Sequence, residues 1–125
     1  MKKSELEDRL VRFSTAIIRM TKGMVEGFDS QHLGKQIIRS GTAVSLLYGE
    51  AQGAATKKDF IHKISLVLRE LRETHINLKL INNSNLFPDK SIMADLMDEN
   101  HQLISIFMKT YLTCIKNEGK KGDLI

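Results

Sequence analysis

Apolar residues recur at intervals of three and four through four long stretches of this chain, and almost nowhere do they alternate. That period belongs to the α-helix rather than the strand, so the sequence predicts an all-α protein. In the first stretch, 4–24, Leu6, Leu10, Phe13, Ile17 and Met20 share one side, with Glu7, Arg9, Arg12 and Arg19 mostly elsewhere. The second, 31–54, carries Leu33, Ile37, Val44, Leu47, Tyr48 and Ala51. The third, 57–82, carries Phe60, Ile64, Val67, Leu71, Leu78 and Ile81. The fourth, 88–117, carries Ile92, Leu96, Leu103, Ile106, Phe107, Tyr111 and Ile115. Each makes a rod of at least roughly 30 Å at about 1.5 Å per residue. Short connections between long helices favour antiparallel neighbours. The expected architecture is therefore an antiparallel up-down-up-down four-helix bundle over 1–118, with a flexible polar tail at 119–125.

Local signals suggest where the rods begin and end. Ser4 followed by Glu7 has the form of a capping box, and Thr56 followed by Asp59 gives another cap. Gly23 and Gly27 bracket the first exit, and Asp29-Ser30 offers an N-cap for the second helix. Asn82 to Asn85 read as a loop, and Pro88 sits where a first-turn proline belongs. Gly41, Gly49 and Gly53 fall inside the second helix, each at a cost of up to about 1 kcal/mol relative to alanine. Small residues in such number predict close approach of another backbone.

A chain of 125 residues is one domain. With 42% hydrophobic and 27% charged residues it is globular in composition rather than disordered. A lone cysteine, Cys114, excludes an internal disulfide and fits a reducing cytoplasm. The start, Met1-Lys2-Lys3-Ser4-Glu5, leads into no apolar signal segment, and no apolar run approaches a membrane span. A cytoplasmic protein without a membrane partner is expected.

Catalytic chemistry has little to stand on. His32, His62, His75 and His101 form no HExxH pair and no zinc-ligand spacing with Cys114. Glu70, Glu73 and Glu99 do not supply the carboxylate and histidine set of a di-metal bundle. No glycine-rich loop follows a strand. No catalytic residue, metal or cofactor is expected. His75 reads as a hydrogen-bonded core histidine, Cys114 as a small buried hydrophobe, and the six methionines as core fillers.

The third helix carries the distinctive feature. Lys58, His62, Ser65, Arg69, Arg72, Ile76 and Lys79 follow one another at helical spacing on the side opposite the apolar seam. Asp59, Glu70 and Glu73 fall outside that row, so its charge is expected to stand uncompensated. Lys57, and Lys35 and Arg39 on the second helix, would enlarge it. The net charge of +4 and a pI near 9.3 are modest for a nucleic-acid module, and a solvated face is the plain alternative. Few aromatics and no tryptophan argue against stacking on single strands and for duplex or backbone recognition. The candidate contacts to RNA or DNA are Lys57, Lys58, His62, Arg69, Arg72 and Lys79. On the second helix Arg39, Ala43, Leu46 and Glu50 make a second row, the candidate oligomer interface. A protein-interaction scaffold without nucleic-acid contact is the competing reading.

Three stretches resemble a known family: Gln36 to Ser45, Tyr48 to Ala51 and Lys57 to Lys63, with Leu68 to Thr74 continuing the match. They are similar to the bacterial four-helix-bundle intervening-sequence proteins, also labelled S23 ribosomal proteins after reading frames inside insertions of large-subunit rRNA genes. The resemblance implies a four-helix bundle assembling into a cyclic homopentamer. A related branch serves as accessory proteins of diversity-generating retroelements and associates with a reverse transcriptase and nucleic acid. Arg39, Tyr48, Glu50, Asp59 and Phe60 would then be structural: capping, seam filling and an inter-helix Arg–Glu pair. Leu47 stands where relatives carry asparagine, and Asn77 where they carry an aromatic.

Overall fold

Leu6, Leu10, Phe13, Ile17 and Met20 are all buried, and the same holds for Ile64, Val67, Leu71, Leu78 and Ile81 on the third rod. The computed structural model describes residues 1–121, with side chains through Asn117. It comprises α1 (Lys3–Lys22), α2 (Phe28–Gln52), α3 (Lys57–Asn83) and α4 (Lys90–Lys121), with no strand among the described residues. The tail expected over 119–125 lies largely outside the described residues.

Side-chain pairings give the direction of the rods. Ser14 of α1 donates to the Gly41 carbonyl at 2.7 Å and lies 2.6 Å from Ser45 Oγ, while a Cβ on Gly34 would meet Thr21 at 4.0 Å. As α1 rises, α2 descends. Glu50 pairs with Lys63 and Arg39 with Glu70, so α3 is antiparallel to α2. Arg9 meets Glu99 while Arg19 and Met20 face Phe87 and Ile92, so α4 is antiparallel to α1. At one end the Val25 N–H donates to the Leu86 carbonyl at 2.9 Å, tying the α1–α2 loop to the α3–α4 loop. Each consecutive pair of helices packs along its length, whereas α1 and α4 touch only lightly.

Several local expectations change. α1 starts one residue before Ser4, behind Lys2, with no side-chain cap, so the Ser4–Glu7 box does not form. α2 starts at Phe28, behind Gly27 at φ 145°, and Asp29 and Ser30 sit inside its first turn. A φ of that kind suits glycine. Thr56 does cap α3, accepting from the Asp59 N–H at 3.0 Å. α3 runs through Asn83, and Asn85 then reverses the chain at φ 56°, a conformation asparagine tolerates. Pro88 precedes α4; the cap is Asp89, whose Oδ1 accepts from the Ile92 N–H at 3.0 Å.

The glycines of α2 divide by role. A Cβ on buried Gly41 would come within 3.0 Å of Ile17, so the close approach there is made by a side chain of α1. Gly53 is the C-cap, and Gly49 faces open space. Ile92 and Ile115, assigned to the α4 seam, are 46% and 41% exposed. His75 is half-buried with no partner for Nδ1, and Cys114 is half-buried as well. No helix among the described residues is long and apolar enough to cross a membrane.

Toward the α2–α3 end of the bundle, Tyr48 packs edge-on to Phe107 with ring centroids 5.6 Å apart. Burial, helped by the Glu7 charge, raises its phenol pKa. The folded protein therefore keeps this proton at a pH where the unfolded chain, near pKa 10, has begun to lose it. The stabilisation is complete below about pH 10 and is lost as pH rises through the folded value. Tyr48→Phe is expected to stay within about 0.5 kcal/mol of wild type at neutral pH and to lose less stability above about pH 10. Urea unfolding across that range checks it, and equal alkaline loss in both proteins refutes it.

Candidate nucleic-acid interface

α3 is covered by α2 on one side and α4 on the other, which leaves one arc of its surface for solvent. That arc is the cationic row. Lys58, His62, Arg69, Arg72 and Lys79 are exposed, Ser65 is half-buried, and Ile76 is 52% exposed. From Lys58 to Lys79 the row spans roughly 30 Å of helix axis. Lys57 lies off it, half-buried beside Ala51 and Phe60 at the α2–α3 turn.

Among the described residues, Lys58, His62, Arg72 and Lys79 pair with no carboxylate. The Arg72 guanidinium lies 3.5 Å from Met108 Sδ on α4, which props it without neutralising it. Arg69, whose side chain is 70% exposed, has Glu70 Oε2 at 3.8 Å, a loose contact at the limit of an ion pair. Glu70 thus comes nearer the row than the sequence suggests, but it faces elsewhere.

Glu70 is the unexpected residue. Its side chain is 7% exposed and it points toward α2, where Arg39 Nη1 lies 3.2 Å from Oε1. That approach is off the line of a hydrogen bond, so Oε1 has charge compensation without a donor. Arg39 also pairs with Glu73. One guanidinium therefore serves two carboxylates, and Arg39 adds no net positive charge to the row. The same side of α3 carries Thr74 and Asn77, both buried. Ser40 Oγ lies 2.8 Å from Thr74 Oγ1 and 3.3 Å from Asn77 Nδ2. The unusual Asn77 is thereby satisfied across the helix interface. Glu70, Thr74 and Asn77 share helical spacing, and the packing shows that this side meets α2.

On the second row, Leu46 is 67% exposed and Ala43 is half-buried. Arg39 and Glu50 remain more than half exposed, although each already holds an ion pair within the chain, Glu50 with Lys63 Nζ at 2.8 Å. The Glu50 hydrogen bond, followed by its charge, raises the Lys63 pKa. No group of three or more His, Cys, Asp or Glu side chains is placed to hold a metal ion among the described residues.

These features define a small helical-bundle protein with one long cationic rod on its outside. The chain matches the family model of the 23S rRNA-intervening sequence proteins over residues 2–109. It belongs to that family. It is also similar to a crystal structure from Bacteroides thetaiotaomicron described as a protein of unknown function from the S23 ribosomal protein family. That likeness has a TM-score of 0.80 at 24% identity, covering 89% of this chain and 98% of the other. It speaks for the fold. Among curated proteins none matches the chain.

The Arg39–Glu70 contact makes a direct prediction. Removing the arginine leaves a buried carboxylate uncompensated, and solvent on the arginine's side limits the penalty to about 2 kcal/mol. Arg39→Ala should lose that much in urea unfolding. Adding Glu70→Gln should recover more than half of it, and a double variant as unstable as the single one refutes the pairing.

Proposed function

We propose that this protein is a non-enzymatic, oligomeric helical bundle that binds nucleic acid or a nucleoprotein through the outer face of α3. The observation that carries the reading is the exposed row from Lys58 to Lys79, in which the one ion pair among the described residues is the loose contact at Arg69. Its cations are held on a rigid rod at fixed spacing, which suits a phosphate backbone better than base edges. Lys58, Arg69, Arg72 and Lys79 carry the charge, His62 adds to it when protonated, and Lys57 flanks it. In a symmetric assembly the row repeats in every copy, multiplying phosphate contacts without adding sequence preference. Family resemblance supports a homopentamer, and the lone Cys114 fits the cytoplasm.

Four cations per engaged protomer give a log–log salt slope of about −3 to −4 on duplex. Arg69→Glu with Arg72→Glu should flatten that slope by about 2 and weaken binding more than roughly tenfold at low salt. The helical circular dichroism should stay intact. Affinity indifferent to salt and to these reversals would falsify the reading.

One observation favours a second reading, a protein-interaction scaffold or accessory subunit, for example of a reverse transcriptase. Ile76 in the row and Leu80 beside it are 52% and 45% exposed, apolar surface for which a phosphate backbone has no use. Pull-down of a partner that survives nuclease, with no gel shift on RNA or duplex DNA, would favour the scaffold.

Assembly is tested separately through Arg39, Ala43, Leu46 and Glu50. Sedimentation should give a species near five times the 14.2 kDa chain, and Leu46→Glu should reduce it. A wild-type monomer at micromolar concentration overturns this interface.

A further inference from the structure

The bundle is open along one seam. Between α1 and α4 a trough runs from Phe87 to Glu99 in two stretches, of about 510 and 430 Å³, that share Arg12, Ala16 and Ile92. Small side chains make the space, with Thr15 and Ala16 standing where larger residues would close the seam. Its walls are unfinished core. Val11 is 50% exposed and Ile92 46%, although both flank buried Met20 and Leu96.

The charge along the rims is uneven. Arg12 and Arg19, both exposed, stand seven residues apart on α1, roughly 10 Å along the axis. Among the described residues neither has an ion pair. On the α4 rim Glu99 is already held by Arg9 Nε and Nη2, at 2.7 and 2.8 Å, which leaves Asp95 as the acid there. The trough is therefore apolar at its floor, cationic on the α1 side from Arg12 to Arg19, with Glu5 and Asp8 beyond Arg12 at one end, and weakly acidic on the α4 side. It lies open to solvent along its whole length. A small molecule would be only partly covered, whereas a helix laid lengthwise would fill it.

We propose that this trough docks an amphipathic helix of another protein. That helix carries apolar residues toward Ala16 and Ile92, and carboxylates on the flank facing Arg12 and Arg19. Asp95 repels acids on the opposite flank, so the charge pattern also selects the helix's orientation. The site is separate from the α3 row, because it lies between α1 and α4 and the backbones of α1 and α3 stand apart across the bundle.

The probe is a fluorescein-labelled synthetic helix with leucines at helical spacing and glutamates along one flank. Its control carries lysines in place of the glutamates. With the full-length protein, fluorescence anisotropy should show the glutamate helix binding roughly tenfold or more tighter than the lysine helix. Arg12→Glu with Arg19→Glu should reverse that preference, and Arg69→Glu with Arg72→Glu should leave it unchanged. Should the double reversal unfold, Arg12→Gln with Arg19→Gln must still abolish the preference. Ala16→Trp, filling the floor, should block both helices. Equal binding of the two helices, or equal loss from the α3 reversals, overturns the proposal. So does an oligomer that falls apart on Arg12→Glu with Arg19→Glu, because the trough would then be covered by a second copy.

Discussion

The rotation of α3 about its own axis is the constraint on which the outer surface depends, and the α2–α3 interface sets it. Two helices flank α3, so each of its residues is assigned to core, interface or solvent by a single angle. The apolar seam alone tolerates some slippage, because hydrophobic burial has no direction. The contacts of Ser40 with Thr74 and Asn77 do have direction, and so does the Arg39–Glu70 pair. Turning α3 by one residue would put Arg69 where Glu70 sits and leave these buried polar groups without partners, at a cost of a few kcal/mol. The polar interface thereby holds the cationic row outward.

The same interface redistributes charge. Positive groups near carboxylates are consumed inside the bundle: Arg9 by Glu99, Arg39 by Glu70 and Glu73, Lys63 by Glu50. Among the described residues, Lys58, Arg72 and Lys79 on α3 and Arg12 and Arg19 on α1 are left without an ion pair, as are more scattered lysines such as Lys35 on α2 and Lys109 and Lys116 on α4. The backbones of α1 and α3 stand apart across the bundle. A modest net charge is thus compatible with local cationic rows, because part of the charge is paired between helices.

Helix number, seams and the α3 row were legible because each depends on a period of the sequence, and burial follows that period almost residue by residue. Leu6 through Met20 shows this on α1. Helix starts were less legible. A cap such as Ser4 contributes only about 1 kcal/mol, and one further backbone hydrogen bond, Leu6 N–H to the Lys2 carbonyl at 3.0 Å, contributes a similar amount. At α2 the start follows from Gly27, whose positive φ turns the chain before Asp29 is reached. Arg39 shows a different limit. Its motif suggested a pair with a glutamate, but the partner depends on the register between two helices, which no local spacing encodes. The α1–α4 trough was invisible for a related reason. Val11 looks like a scattered apolar residue and Ile92 like a seam position until the light packing of those helices brings both to one opening.

The two faces also constrain any ring. A closed ring of three or more identical chains uses heterologous contacts, so each protomer must give up two different surfaces. The α2 row around Leu46 can be one of them. If the α3 row is to stay accessible to a polyanion, the other must come from α1 or α4. The C-terminal turns of α4 offer apolar surface away from the trough, since Leu112 and Ile115 are 56% and 41% exposed. An assembly built from the α2 row and that end of α4 leaves the α3 rod and the α1–α4 trough uncovered together. Bundle, ring, polyanion contact and helix docking are then compatible in one particle, because each draws on a different face of the same four rods.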